Sequence, residues 1–181
     1  MPAHDLLEIR DTVVKFLERA GVVLRGDEVD RIEVTDFGLG RLHEFGLQLV
    51  TYVNTERVCA KELVLLPWQV CPEHLHPPVG GYPGKEETFR CRRGIVWLYV
   101  PGEAATSPHA RLPEGYRSKV TVWHEVELRS GDQWTIPPNT SHWFQAGAEG
   151  AVVSEFSTMS VDEHDVFTDP AVRRLERILQ W

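Results

Sequence analysis

Cysteine is scarce in this sequence. Cys59, Cys71 and Cys91 are the three present in 181 residues, and no two are spaced as C-x-x-C. That spacing provides no disulfide framework; buried thiols acting as small hydrophobes in a reducing compartment account for it. Positive charge is also short: 19 Lys and Arg face 27 Asp and Glu, for a formal net charge of −8. Non-specific nucleic-acid binding depends on Lys and Arg neutralising phosphates, so this balance speaks against nucleic acid as a partner. No apolar run approaches the roughly 20 residues of a membrane-spanning helix. The N-terminal stretch carries Asp5, Glu8 and Asp11 and lacks the basic, then apolar, pattern of a signal peptide. Blocks of like charge, internal repeats and low-complexity tracts are missing as well. The expectation is a cytoplasmic protein that engages neither membrane nor nucleic acid.

What is present fits one domain over residues 1–181, large enough to hide about 70% of its unfolded surface. Apolar residues make up 42% and charged residues 25%, ordinary for a globular chain. Leu6, Ile9, Val13, Phe16, Leu17 and Ala20 recur at helical spacing, which predicts a helix over about 6–20, capped by Asp5 and ended by Gly21. Asp169-Pro170, a cap followed by proline, predicts a second helix over about 170–181, with Leu175, Ile178 and Leu179 as its stripe. Between them, over about 46–157, the pattern reads as β. Strand-like runs occur at 46–52, 62–66, 88–92, 95–100, 120–128, 133–136 and 150–156, separated by Gly, Pro, Asn and Ser clusters. Many short, closely spaced strands predict a mainly β sandwich or barrel.

The histidines divide into two kinds. His4, His43, His109, His124 and His164 sit singly in terminal, loop or polar surroundings and need no function. His74 and His76 stand two apart at the end of a strand-like stretch, so both rings project to one face. Glu87 follows eleven residues after His76, with Glu86 as its competitor. Far along, Gly131 to Ile136, then Pro137-Pro138-Asn139, deliver His142 to the start of another strand. Three imidazoles and a carboxylate suit a divalent transition metal.

These two stretches resemble the paired motifs of the cupin superfamily. Glu87 and Gly94 keep the first motif's glutamate-to-glycine interval, and Gly131, Pro137 and His142 keep the second motif's spacing. The loop from His76 to Glu87 is longer than usual, and Asn139 and Ala146 replace the motif's glycine and asparagine. The resemblance implies a double-stranded β-helix, or jelly-roll barrel, with His74, His76, Glu87 and His142 as metal ligands. Longer strings are similar to the D-lyxose ketol-isomerase family within it. The most specific are Gly84-Lys85-Glu86-Glu87-Thr88-Phe89-Arg90-Cys91-Arg92 and the run from Pro137 to Gly147. That resemblance covers nearly the whole chain. It implies an isomerase interconverting D-lyxose and D-xylulose, often also D-mannose and D-fructose, with one divalent metal, commonly manganese, and a homodimer. Zinc, cobalt and iron suit the same ligands.

Aldose–ketose isomerisation moves a hydrogen between C1 and C2 and needs a base to carry the proton. Glu155, a carboxylate in an apolar strand, is the candidate; the alternative is that it faces solvent. Lys85, two residues before Glu87, either polarises a sugar oxygen or is a solvated loop lysine. Asp165 reaches a sugar hydroxyl or merely helps to position the final helix. Trp143 and Phe144 are expected to line a sugar pocket. Two readings compete with the isomerase: an iron-dependent cupin oxygenase, and a non-catalytic cupin that binds sugar or metal.

Overall fold

The computed structural model describes residues 3–174 and 177–178. Helix α1 spans Ala3–Arg19. Its apolar stripe, Leu6, Ile9, Val13 and Leu17, is buried as the spacing predicts, with Val13 and Leu17 wholly enclosed. The helix ends where Gly21 enters the left-handed region at φ 74°. There the N–H of Val22 bonds the Leu17 carbonyl and that of Gly21 bonds Glu18, the paired closure that a C-terminal glycine permits. Asp5, expected at the cap, falls within the range Ala3–Arg19 of α1. A short helix α2, Gly26–Asp30, was not foreshadowed by any apolar stripe; the Glu28 carboxylate accepts the Arg25 N–H at its start.

The β elements are β1 Glu33–Thr35, β2 Leu47–Asn54, β3 Cys59–Leu65, β4 Val70–Leu75, β5 Glu87–Val100, β6 His124–Arg129, β7 Gln133–Ile136, β8 His142–Ser157, β9 Val166–Phe167 and β10 Arg177–Ile178. Among the described residues they form one curled antiparallel sheet in the order β10-β1-β2-β3-β8-β4-β9, with β5 joining β8 to β6 and β7. The mainly β expectation holds. The runs at 88–92 and 95–100 belong to a single strand, because Gly94 is a register irregularity within β5 rather than a turn. A Cβ there would stand 2.2 Å from the Gly150 carbonyl oxygen, so only glycine fits the approach.

The expected C-terminal helix is corrected. Asp169 does make the local bond of a cap, accepting the Ala171 N–H, but only one turn follows. The N–H of Arg173 bonds the Phe37 carbonyl, and Arg177–Ile178 pair with β1. Pairing with the sheet edge satisfies backbone groups that a helix would have used. Residues 175–176 and 179–181 of that expected helix lie outside the described residues.

Two apolar layers result from strand alternation. Leu63, Leu65, Phe89, Phe144, Ala151 and Val153 point into the barrel. Val50, Val64 and Val152 point outward beneath α1 and meet Val13 and Leu17. Burying each such side chain is worth about 1.5–3 kcal/mol.

Candidate metal centre and pocket

His74 is the penultimate residue of β4 and His142 opens β8, and the two residues are paired across these strands. His76 follows one residue beyond β4. Their candidate ligand nitrogens all lie within 4.8 Å of one another, and all three rings are buried. Each ring is oriented by its Nδ1: His74 against the Pro72 carbonyl at 2.8 Å, His142 against Thr140 at 2.9 Å, and His76 against the Asp165 carboxylate at 2.5 Å. With Nδ1 so engaged, Nε2 is the nitrogen that each ring turns towards a cation, the arrangement that second-sphere partners impose on ligating histidines; at His76 the cation takes the place of a proton shared with Glu87.

Glu87, the first residue of β5, reaches this cluster. Its Oε1 is 2.9 Å from His142 Nε2 and 3.2 Å from His76 Nε2. The His142 contact lacks the alignment of a hydrogen bond, so Nε2 of a fully buried histidine is left without a hydrogen-bond partner. An orphaned ring nitrogen facing a carboxylate and two further imidazoles fits a metal ligand set. Burial and the two neighbouring rings push His74 well below the usual histidine range, which keeps it neutral as ligation requires. Burial would raise Glu87, but Lys85 and His76 outweigh it and hold the carboxyl well below the usual carboxylate range.

Lys85 is buried, not a solvated loop residue. Its Nζ lies 2.8 Å from Glu87 Oε2 and 3.1 Å from Glu155 Oε1. Burial disfavours its ammonium form, yet Glu155 and Glu87 together raise it well above the usual lysine range. Glu155 faces inward and is buried, with Ser157 Oγ donating to it at 3.0 Å. A small cavity of about 30 Å³ is lined by His74, His76, Lys85, Glu87, Glu155 and Asp165, and by Phe144 on its apolar side.

Trp143 is not part of this lining. Strand alternation turns it to the opposite face from His142 and Phe144, where it stacks on Tyr99 with ring centroids 3.9 Å apart and donates Nε1 to the Val122 carbonyl at 2.8 Å. Asp165 lines the cavity, and its carboxylate meets His76 of the cluster rather than any terminal helix.

Three further charged residues line the cavity that the sequence reading passed over. Lys61 donates to Ser160 Oγ at 2.9 Å and Asp162 Oδ2 at 2.8 Å, and Arg174 bridges Asp162 and Glu33 at 3.2 and 2.7 Å. Burial alone would raise Asp162, but Lys61, Lys85 and Arg174 hold it far below the usual range. The signal was available for Lys61: a lysine in the apolar run of β3, directly opposite Glu155 on β8. Asp162 opens a single 3-10 turn, Asp162–His164, and Arg174 lies in an irregular segment, so neither has a periodicity to read.

No family model matches the chain. Curated relatives do. The D-lyxose ketol-isomerase of Thermofilum sp. is 59% identical over 172 residues, covering 95% of this chain and 96% of the relative. The D-lyxose/D-mannose isomerase of Thermosediminibacter oceani is 59% identical over 171 residues, covering 94% of each. The D-lyxose ketol-isomerase of Cohnella laeviribosi is 60% identical over 168 residues, covering 93% and 92%. Among solved structures, the L-ribose isomerase of Acinetobacter sp. DL28 in complex with L-ribose superposes with a TM-score of 0.79 at 17% identity, covering 95% of this chain and 94% of the other. The ligand-free L-ribose isomerase of Cellulomonas parahominis gives 0.78 at 16%, covering 97% and 96%. These neighbours share the cupin-type barrel. With identity near 60% over nearly the full length of both chains, this chain is an isomerase of the D-lyxose ketol-isomerase family.

Proposed function

We propose that the chain, acting as one domain over residues 1–181, is a metal-dependent aldose–ketose isomerase. Its substrates are D-lyxose and D-xylulose, and also D-mannose and D-fructose. One observation carries the reading. Lys85 bridges Glu87 and Glu155 inside a cavity lined by His74 and His76, with His142 beside them, so a ligand carboxylate, a fixed cation and a second carboxylate converge on one small volume. An oxygenase or a simple binding protein has no need of the second carboxylate.

His74, His76, Glu87 and His142 hold one divalent cation, Mn²⁺, with Zn²⁺, Co²⁺ and Fe²⁺ compatible with the same donors. When bound, the cation supplies Lewis-acid stabilisation for negative charge developing on the two sugar oxygens at C1 and C2. Glu155 takes the proton from one of these carbons and returns it to the other. Ser157 and Lys85 aim its carboxylate while it does so. Lys85, held as a cation, also donates to the sugar oxygen that gains charge. Phe144 packs against the sugar's carbon face. Asp165 fixes the His76 ring and stands close enough to the cavity to accept from a sugar hydroxyl.

The protein works as a homodimer in the cytoplasm. Phe156, Tyr52 and Val58 expose apolar surface on the outside of the sheet, which is consistent with a covered face in the dimer. The deciding test starts from metal-stripped protein re-supplied with Mn²⁺. Ketose formation is followed from D-lyxose, D-mannose, D-xylose and D-ribose. Metal-dependent conversion, greatest with D-lyxose, is the expected result; a metal-loaded protein that converts no aldose would overturn the reading.

A further inference from the structure

Glu73 precedes His74 in β4 and is 1% exposed, but it does not line the cavity, and its carboxylate's hydrogen-bond partners do not line it either. It accepts four hydrogen bonds, one for each lone-pair position of its two oxygens. Thr121 Oγ1 and Thr168 Oγ1 each donate to Oε1 at 2.6 Å, and the N–H groups of Thr121 and Val122 donate to Oε2 at 2.6 and 3.1 Å. The Glu73 carbonyl in turn accepts the Thr168 N–H at 3.0 Å.

Each of these bonds leads by a short path to one of the three histidines. Glu73 itself is bonded in sequence to His74. Thr168 directly follows β9, whose Phe167 pairs with His74 and whose preceding residue, Asp165, orients His76. The Val122 carbonyl accepts Nε1 of Trp143, the neighbour of His142. Residues of β4, the segment after β9 and the 101–123 loop are thus tied directly to one buried carboxylate on the side away from the cavity, and β8 is tied to it through Trp143.

We propose that Glu73 is a positioning residue for the metal centre, acting through Thr168 and Val122 to fix the mutual placement of His74, His76 and His142. The inference rests on the metal-centre part of the proposed function and not on the sugar reaction. A carboxylate is the group the geometry asks for, since four donors converge and none of the partners is an obligatory acceptor. Bonds to an ionised acceptor are also shorter and stronger than neutral ones, as the three at 2.6 Å are. Glutamine in this place would bring its own N–H groups against donors.

The test measures Mn²⁺ affinity of the metal-stripped full chain, without sugar, alongside thermal unfolding. Glu73→Gln is expected to weaken Mn²⁺ binding by about tenfold or more, the scale on which outer-sphere partners act. Leu17→Ala, in the layer beneath α1, serves as the control: it lowers the unfolding temperature and leaves Mn²⁺ affinity at the wild-type value. Should Glu73→Gln not fold, Thr168→Val removes one donor of the four and is expected to weaken binding in the same direction. Wild-type affinity in whichever of these variants folds, or equal loss of affinity in Leu17→Ala, would overturn the proposal. A wild-type chain that takes up Mn²⁺ but isomerises no aldose would overturn the reaction and leave this inference intact.

Discussion

Strands β3 and β8 bury two faces of opposite character. Outward, Val64 and Val152 lie under α1 against Val13 and Leu17, with no charge among them. Inward, at alternate positions of the same strands, Lys61 and Glu155 sit directly opposite each other beside Lys85 and Asp162. Under α1 the outer face gains free energy from apolar area, and its one buried charge on β3, Glu62, lies further along against Ser154 and Arg92. The inner face gives up hydration of several charges, and ion pairing at best repays that cost. One layer of this wall therefore supplies stability, and the other spends it to hold a reactive arrangement. Substitutions on the two faces should fail in different assays.

The largest separation is expected from Glu155→Gln. Loss of the proton carrier should lower kcat about a thousandfold, within the usual range for a general base, while Mn²⁺ uptake stays at the wild-type level; ketose formation and a metal titration report the two. Leu17→Ala should do the reverse. It should cost about 3 kcal/mol of unfolding free energy by denaturant titration, with kcat/KM of the folded protein unchanged at 25 °C. Equal damage to both properties by either variant would erase the distinction between the faces.

Asp165→Asn tests a smaller effect at the boundary. It removes the carboxylate that orients His76, and Mn²⁺ affinity should fall by about tenfold to a hundredfold, with kcat recovering at saturating metal. The smallest effect is in pH. Burial and Lys85 disfavour a charged His76, but Glu87 and Asp165 prevail and raise it to about 9. In the metal-free protein this ring is protonated at neutral pH, and its raised value contributes stability below the ordinary histidine range that is lost as pH rises through about 9. A cation must displace that proton, so Mn²⁺ affinity should climb by about tenfold per pH unit towards 9 and then level off. Affinity that falls as pH rises from 6 to 8 would exclude this competition.

Much of this arrangement was legible in the residues, and the failures have physical causes. The stripe of α1 and the Gly21 stop follow from helical periodicity, and the run 133–136 coincides with β7. The three proposed histidine ligands were legible through spacing, because a strand's period of two and a Pro-Pro-Asn turn leave few places for a ring to go, whereas Glu87 was singled out from Glu86 only by the resemblance to the cupin motif. The same period argues against grouping Trp143 with Phe144: if His142 points inward, its neighbour must point away. The C-terminal stretch misled because cap chemistry at Asp169-Pro170 is local, whereas the fate of the following residues is decided by a distant edge at β1. Lys61 was missed where Glu155 was found, though each is a charge in an apolar strand. The ion network ties Asp162 to Lys61, 101 positions away, and Arg174 to Glu33, 141 positions away, and leaves no pattern in sequence at all.

The position of β8 bears on how the chain becomes a protein. This strand, residues 142–157, is hydrogen-bonded to β3, β4 and β5, all of them made earlier. A nascent chain that has not yet released residue 142 can close the hairpins β2–β3, β5–β6 and the β5–β7 pair, but it cannot join them. Until then their edges and the strips meant for α1 and the interior stand open to other chains. Long-range pairing of this kind folds slowly, so the molecule's exposure to aggregation is set by the wait for its last long strand, which also carries His142 and Glu155.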